Sequence, residues 1–131
     1  MAERVETVRR LEAAFRDYDV EAILECCTPD AEVLPLRAQL EGKSYVGAAG
    51  IRAMVADLAE DWEHIDQRME DYREVGDEVV TLGRMHAKSN ATGIDLDVPV
   101  AWVLRFEGDL IAYGKAYSDQ AEALRAAGLE E

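Results

Sequence analysis

The sequence predicts an α+β domain in which helices come first and an antiparallel sheet follows. Apolar residues recur at helical spacing through the first 62 positions. Three long strand-like runs, 77–87, 97–107 and 110–117, then follow one another with tight turn signals between them. A short helix over 119–127 closes the chain, and Asp119 is expected to cap it.

The first half of the chain is predicted to contain three helices, over 3–16, 20–27 and 47–62. The first has an apolar stripe that is broken by Glu12, and Asp19 is expected to cap the second. Short strands are predicted over 31–36 and 67–75, with a loop over 37–46. No repeat or linker interrupts this order, so residues 1–131 are read as a single domain.

The charge balance restricts the classes of partner. The chain has 28 acidic and 14 basic residues, a formal net charge of −14. This balance argues against nucleic acid and against anionic membrane surfaces, since both are recognised by basic residues. No apolar run is long enough for a membrane span, and the first twenty residues do not read as a secretory signal. A cytoplasmic location is therefore expected.

The sequence gives no reason to expect a metal. Cys26 and Cys27 are adjacent, and buried reduced thiols are the expected state because no CxxC pattern or neighbouring histidine accompanies them. Asp95 and Asp97 alternate along one strand and read as a solvated acidic edge, without a histidine nearby in sequence.

The last two strands predict a cavity. One parity of the run 97–107 is apolar throughout: Val98, Val100, Trp102, Leu104 and Phe106. Because strand side chains alternate between faces, this parity forms one wall of a curved sheet. Tyr113, Lys115 and Tyr117 share one face of the next strand, and we expect that face to be the one that carries Trp102. A lysine among aromatic residues suggests a small-molecule cavity.

The opposite parity of these two strands is composed mostly of small residues: Ala101, Val103, Ala112, Gly114 and Ala116. A smooth face of this kind suits the packing of two sheets against each other. The sequence therefore predicts a two-fold homodimer through the outer face of the sheet.

Characteristic local strings are spread over nearly the whole chain, at positions 13–15, 19–24, 29–33, 45–47, 50–52, 116–119 and 122–129. Together they resemble the SnoaL-like family of the nuclear-transport-factor-2-like (NTF2-like) superfamily. That superfamily also contains ketosteroid isomerases and scytalone dehydratases. The resemblance implies a cone: a strongly curved antiparallel sheet wrapped on three N-terminal helices, with a pocket inside.

The resemblance also allows the ketosteroid isomerase mechanism to be tested. That family's catalytic base, oxyanion tyrosine and oxyanion aspartate fall here at Leu34, Leu11 and Trp102. None of these side chains can transfer a proton, so we reject steroid isomerisation by that mechanism.

His86 is the candidate general acid or base. In the favoured strand register Leu82, Arg84 and His86 face the cavity, whereas a slip of one residue would present Gly83 and Met85 instead. The alternative is a solvated histidine. Lys115, with Tyr117 or Tyr113, is the candidate oxyanion stabiliser, and the alternative is a lysine that reaches solvent at the strand edge.

Five further residues are candidate ligand contacts: Trp102, Val100, Trp62, Tyr18 and Tyr45. Trp102 offers a flat wall, although a purely core role explains it as well. Tyr18 and Tyr45 lie in connections near the expected opening of the cone, where a structural role is the alternative.

The resemblance implies a cofactor-free isomerase, cyclase or lyase acting on a small hydrophobic carbonyl compound. The alternative is a non-catalytic ligand-binding or interaction module on the same fold, which the loss of all three isomerase positions favours. An epoxide hydrolase needs an Asp–Arg–Asp arrangement, and no inward pair of acids accompanies Arg84.

Overall fold

A computed structural model describes residues 2–129 as five helices and six strands. The helices are α1 (Ala2–Arg16), α2 (Val20–Glu25), α3 (Leu36–Leu40), α4 (Gly47–Asp61) and α5 (Gln120–Ala126). The strands are β1 (Cys27–Leu34), β2 (Tyr45–Val46), β3 (Trp62–Val75), β4 (Glu78–Ser89), β5 (Asp95–Glu107) and β6 (Leu110–Tyr117). None of the described helices is long and apolar enough to cross a bilayer.

The strands form one curved sheet in the order β2-β1-β6-β5-β4-β3. Only β1 and β6 pair in parallel, and every other neighbouring pair is antiparallel. The register shifts in β3 between Met69 and Asp71, and again where β5 meets β6 near Arg105. Such irregularities bend and twist a strand, which helps the sheet to curve around the helices.

The concave face of the sheet carries the main hydrophobic core. Residues of α1, α2, α4 and the inner side of the strands contribute to it, including Val8, Ile23, Ile51, Met54 and Val79. Each of these side chains is almost fully buried. This confirms the predicted α+β layout, with the apolar stripes of the helices packed inside the sheet.

A second, smaller core lies on the convex face, where α5 covers the middle of the sheet. Ala123, Leu124 and Ala127 of this segment pack with Val80 and Leu82 of β4, and with Ala101 and Val103 of β5. The carboxylate of Asp119 accepts hydrogen bonds from the backbone N–H of Ala121 (3.0 Å) and Glu122 (3.4 Å), which confirms the predicted cap.

Several element boundaries differ from the sequence prediction. β1 begins at Cys27 rather than near residue 31, so the predicted helix 20–27 ends earlier, at Glu25. α3 begins at Leu36 and, with β2, takes up most of the predicted loop 37–46. β3 begins at Trp62 and not near residue 67, and it lies at the edge of the sheet. Its first residues were missed because polar residues alternate with inward ones there, and a strand with one solvated face does not stand out by hydrophobicity.

The assignment of faces in β6 was wrong. Trp102 pairs with Ala116 and Leu104 with Gly114, so these small residues share the concave face. The expected smooth outer face is therefore not formed: Gly114 and Ala116 face inward, and α5 covers Ala101 and Val103. The packing argument for a homodimer loses its basis, while the dimer itself stays a prediction.

Candidate functional site

A two-part cavity opens on the concave side of the sheet. The inner chamber has a volume of about 50 Å³ and lies between α1 and the sheet. An outer vestibule of about 300 Å³ lies between α3, the end of α4 and the sheet. Both spaces are lined by Phe15, Ile65, Gln67 and Trp102, so they are adjacent. The size and the apolar walls of the vestibule suit a small molecule.

The polar groups of the inner chamber are few, and Glu12 is the one with the strongest acid–base character. It projects from α1 at the position that breaks the apolar stripe. The hydroxyl of Tyr72, on β3, donates to both carboxylate oxygens of Glu12 at 2.8 and 3.1 Å. This pair connects the helix to the sheet at the wall of the chamber.

The pKa values of Glu12 and Tyr72 are both raised, mainly by burial. Burial raises the pKa of Glu12 above its ordinary value, and the Tyr72 hydrogen bond with the charges of Arg9 and Arg16 offsets only part of the effect. Burial and the hydrogen bond to Glu12 raise the pKa of Tyr72 to about 12. The phenol therefore remains a donor, and the carboxylate is a base of raised proton affinity.

Gln67 and Trp102 form a second polar pair, where the chamber meets the vestibule. The indole Nε1 of Trp102 donates to Oε1 of Gln67 at 2.7 Å. Because an indole N–H can only donate, this bond identifies the oxygen of the amide, and the amide NH₂ remains the group that can donate elsewhere. Gln67 borders both spaces, so its NH₂ is placed to meet a ligand.

Thr81 has a hydroxyl without a partner. Its side chain is 1% exposed, and Oγ1 makes no hydrogen bond within the described chain. Thr81 lies opposite both Tyr72 and Trp102 in the strand register and lines the inner chamber. An unsatisfied buried hydroxyl is costly, which makes it a notable feature of this wall.

Two other groups of the chamber are less suited to chemistry. Burial raises the pKa of Cys27 to about 12, so its thiol is not a nucleophile at neutral pH. Both cysteines are buried and free, as predicted. Arg16 lines the chamber but is held at its edge by Asp66, at 3.4 Å. Asp66 also accepts from Arg68 at 2.9 Å.

The sequence-predicted ligand contacts divide into two groups. Trp102, Val100 and Trp62 line the vestibule. Tyr18 lines neither space, and its hydroxyl donates to the backbone oxygen of Trp62 at 3.2 Å, which fits the structural alternative. Tyr45 borders a separate polar cleft between α3 and α4 and donates to Asp57 at 2.7 Å.

Lys115, Tyr113 and Tyr117 do not share the cavity with Trp102. In the register they pair with Val103, Arg105 and Ala101, which places them on the convex face. There Lys115 lies 5.2 Å from the ring centre of Tyr117, and Arg105 lies 5.1 Å from that of Tyr113. The expectation that these three side chains line the cavity was wrong, because the register of β6 against β5 differs by one residue from the expected one and exchanges the two faces of β6.

Arg84 and His86 are also on the convex face. Gln67 pairs with Met85 on the concave side, so the neighbours of Met85 project away from the cavity. Arg84 donates to the carboxylate of Asp97 at 2.8 Å, outside the sheet. The alternative register considered from the sequence, with Gly83 and Met85 inward, is the one formed.

The positions of the isomerase residues are apolar in the structure as well. Leu11 and Trp102 line the inner chamber, while Leu34 pairs with Lys115 and so faces outward. Its neighbour Val33 lines the chamber instead. Neither Leu34 nor Val33 can accept a proton at the position of the isomerase base.

Sequence reasoning missed the polar groups that do line the chamber. The break in the apolar stripe of α1 at Glu12 was the available signal, since a carboxylate on an inward helical face needs a partner. Gln67 and Thr81 of the chamber, and Tyr72, the hydrogen-bond partner of Glu12, gave no comparable signal, because their positions depend on the pairing of β3 with β4.

The sequence matches the model of the SnoaL-like domain family over residues 8–114. A comparison with curated proteins gives no significant match.

Solved structures with the same fold cover almost the whole chain. An NTF2-like protein of unknown function from Burkholderia pseudomallei is 22% identical, with a TM-score of 0.80 over 97% of this chain and 98% of that protein. A Catenulispora acidiphila protein with a ketosteroid isomerase-like fold, in complex with trimethylamine, is 21% identical, with a TM-score of 0.77 over 95% of this chain and 93% of its own.

TerC, co-crystallised with polyporic acid, is 22% identical, with a TM-score of 0.78 over 95% of this chain and 97% of its own. At such identities the likeness concerns the fold. The family match covers most of the chain, and the cone with its inner chamber agrees with it. This protein therefore belongs to the SnoaL-like domain family, within the NTF2-like fold.

Proposed function

We propose that the cavity binds a small, largely apolar carbonyl compound and that Glu12 removes a proton from the carbon next to the carbonyl. The observation that carries this proposal is the Glu12 carboxylate, held by Tyr72 at the wall of a largely apolar chamber. A cofactor-free isomerase, cyclase or lyase begins with such a proton transfer. Membership of the SnoaL-like family supports the small-molecule part of the proposal.

The acid–base properties of Glu12 support the role of base. A carboxylate in water is a weak base, and burial makes Glu12 a stronger one by raising its pKa. Tyr72 donates to both oxygens and so orients the carboxylate. The lone pairs that remain are available to a substrate proton.

The carbonyl oxygen requires a donor as negative charge develops on it. Gln67 supplies one, because Trp102 occupies its oxygen while its NH₂ has no hydrogen-bond partner among the described residues. The Thr81 hydroxyl is a second donor, also without a partner within residues 2–129. Glu12 as base, with Gln67 and Thr81 as oxyanion donors, replaces the polar groups that the isomerase positions lack.

Ligand binding can be measured by the fluorescence of the chain's own tryptophans. Trp62 and Trp102 are the two tryptophans of the chain, and both line the vestibule. Polyporic acid, the compound co-crystallised with TerC, is a suitable first probe. We expect saturable quenching that weakens when Val100, a wall residue, is changed to Asp, and that is unaffected by Lys115→Gln on the convex face.

Proton transfer can be measured without knowing the natural substrate. With 2-tetralone in D₂O, NMR should show enzyme-dependent exchange of deuterium into the carbon next to the carbonyl. Glu12→Gln should lower that exchange by about 10²–10⁴-fold, the usual contribution of a positioned base. His86→Gln and Lys115→Gln are matched controls and should leave it unchanged. Exchange that survives in the Glu12 variant would remove Glu12 from the mechanism.

A non-catalytic binding protein is the second candidate. The apolar residues at the isomerase positions Leu11, Leu34 and Trp102 favour it, since Glu12 is the one acid among the described residues that line the chamber. Saturable tryptophan quenching with no deuterium exchange in any tested ketone would support this function.

The predicted homodimer through the outer sheet face also stays a proposal. It would use the part of the convex face beyond α5, where Tyr113, Lys115 and Tyr117 are partly exposed. Size-exclusion chromatography with light scattering tests it, and a clean monomer at micromolar concentration would contradict it.

A further inference from the structure

Two histidines and an aspartate meet on the convex face, behind the rim of the vestibule. They are His64 of β3, His86 of β4 and Asp95 of β5. The metal-ligating atoms of all three lie within 4.8 Å of one another, the one such group found in the described part of the chain. The two imidazole ring centres are 5.2 Å apart, with planes inclined by 43°.

The strand register creates this cluster from residues that are distant in sequence. His64 and Asp95 both pair with Lys88, from opposite sides of β4, and His86 lies two residues before Lys88 on the same face. The three side chains therefore converge from three adjacent strands. The sequence indicated only a solvated acidic edge at Asp95, because no histidine is near it along the chain.

The three groups are free to bind a ligand. Within residues 2–129, neither imidazole and no oxygen of Asp95 takes part in a hydrogen bond or an ion pair. The neighbouring acids are engaged: Asp97 binds Arg84, and Asp66 binds Arg68 and Arg16. Asp95 is thus the carboxylate of this area that remains available.

We propose that His64, His86 and Asp95 form a binding site for a divalent transition metal of the zinc class. Imidazole nitrogens suit zinc, copper and nickel, and two of them with one carboxylate leave a fourth, water-filled position on zinc. Tetrahedral zinc holds its donors about 3.3 Å apart, as its bond lengths of about 2.0–2.1 Å require. Rotation of these surface side chains closes the remaining distance.

Local charge decides how strongly such a site binds. Asp66 and Asp97 flank His86 from both neighbouring strands, but each is paired with arginine, so they add little negative charge to the site. The net charge of −14 attracts cations to the protein in general. Lys88 opposes binding because it lies between His64 and Asp95, although its ammonium group is directed to Glu63, 3.9 Å away.

The site would join three strands at the rim of the cavity. Ile65 and Met85 line the vestibule and are the sequence neighbours of His64 and His86. A bound metal would therefore fix the strands that carry these wall residues. This role is independent of Glu12, which lies in the inner chamber.

The proposal is tested by titrating tag-free, EDTA-treated protein with zinc chloride, followed by calorimetry and thermal unfolding. We expect one zinc per chain and a higher melting temperature. Because the chain has two histidines, imidazole NMR resonances should report both of them shifting together on binding.

Substitutions separate this site from general binding to an acidic surface. His64→Gln, His86→Gln and Asp95→Asn should each weaken zinc binding at least tenfold, while Lys88→Gln should strengthen it. Asp109→Asn, an exposed aspartate elsewhere on the chain, should leave it unchanged, and magnesium chloride should give no histidine shifts. The proposal would be overturned if zinc did not bind at millimolar concentration, or if both histidine variants bound zinc as tightly as the parent protein does.

Discussion

The two faces of the curved sheet differ in how they treat polar side chains. On the convex face, charged and aromatic groups such as Arg84, Lys115 and Tyr117 are partly exposed and contact one another or solvent. On the concave face polar groups are rare, and each one must be satisfied or costs stability. The few polar groups on that side, Thr81 of the sheet and Glu12 of the facing helix α1 among them, are therefore the candidates for function.

A shift of a single residue in the pairing of a strand is enough to exchange the side chains on its two faces. Successive residues of a strand point in opposite directions, so a one-residue change of register moves a whole set of side chains across the sheet. Thr81 and Leu82 are neighbours in sequence, yet one lines the chamber and the other packs under α5. Three substitutions test this separation through the free energy of unfolding.

Gly83→Ala should have the largest effect. A Cβ at this position would lie 2.6 Å from Cα of Met69 and closer still to the backbone of Arg68, so β3 would have to shift. We expect a loss of about 1–3 kcal/mol or more, as for overpacking in a core. Chemical denaturation measures it. Arg84→Ala, one residue on and exposed, is the control and should change stability by less than about 0.5 kcal/mol.

Thr81→Val should have a moderate effect of the opposite sign. The substitution keeps the shape of the side chain and removes a buried hydroxyl that has no hydrogen-bond partner in the described part of the chain. We expect a gain of about 1 kcal/mol in the free energy of unfolding. Thr28→Val is the matched control: the Thr28 hydroxyl donates to Asp30 at 3.1 Å, so its removal should destabilise. A destabilised Thr81 variant would contradict the assignment of an unpaired group.

The smallest of the three effects is expected from Glu12 and depends on pH. Burial raises the pKa of Glu12 in the folded state, so the folded protein holds its proton to higher pH than the unfolded chain does. The stability from this group is complete below the ordinary pKa of a glutamate and is lost as the pH rises through the folded-state pKa.

Glu12→Gln should therefore be more stable than the parent protein at pH 7, and this difference should disappear in acid. Thermal unfolding between pH 3.5 and pH 8 measures it, with Lys115→Gln as a convex-face control. A difference that grows as the pH falls would show that the pKa of Glu12 is lowered instead.

Much of the fold followed from local patterns. The helices and the last four strands were recognisable because apolar spacing changes from helical to alternating along the chain, and the Asp19 and Asp119 caps were confirmed. The start of β3 and the short α3 were missed. Their sequences are polar or brief, and their structure depends on pairing or packing with distant segments.

The site was predicted less well than the fold. Trp102, Val100 and Trp62 were placed at the cavity, while His86, Arg84, Lys115, Tyr113 and Tyr117 were placed on the wrong face. The irregularity in the pairing of β5 with β6 near Arg105 explains the error for Lys115, Tyr113 and Tyr117, since it changes which residues of β6 lie on the same face as Trp102.

The amino-acid sequence by itself determined the helices, the strands, the family and the existence of an apolar wall around Trp102. These features rest on residue spacing and on neighbours a few positions apart. Tertiary structure alone decided which strand face became the interior and which polar groups met there. Contacts such as Tyr72 with Glu12, or His64 with His86, join residues of different elements, and their formation depends on register and curvature rather than on local spacing.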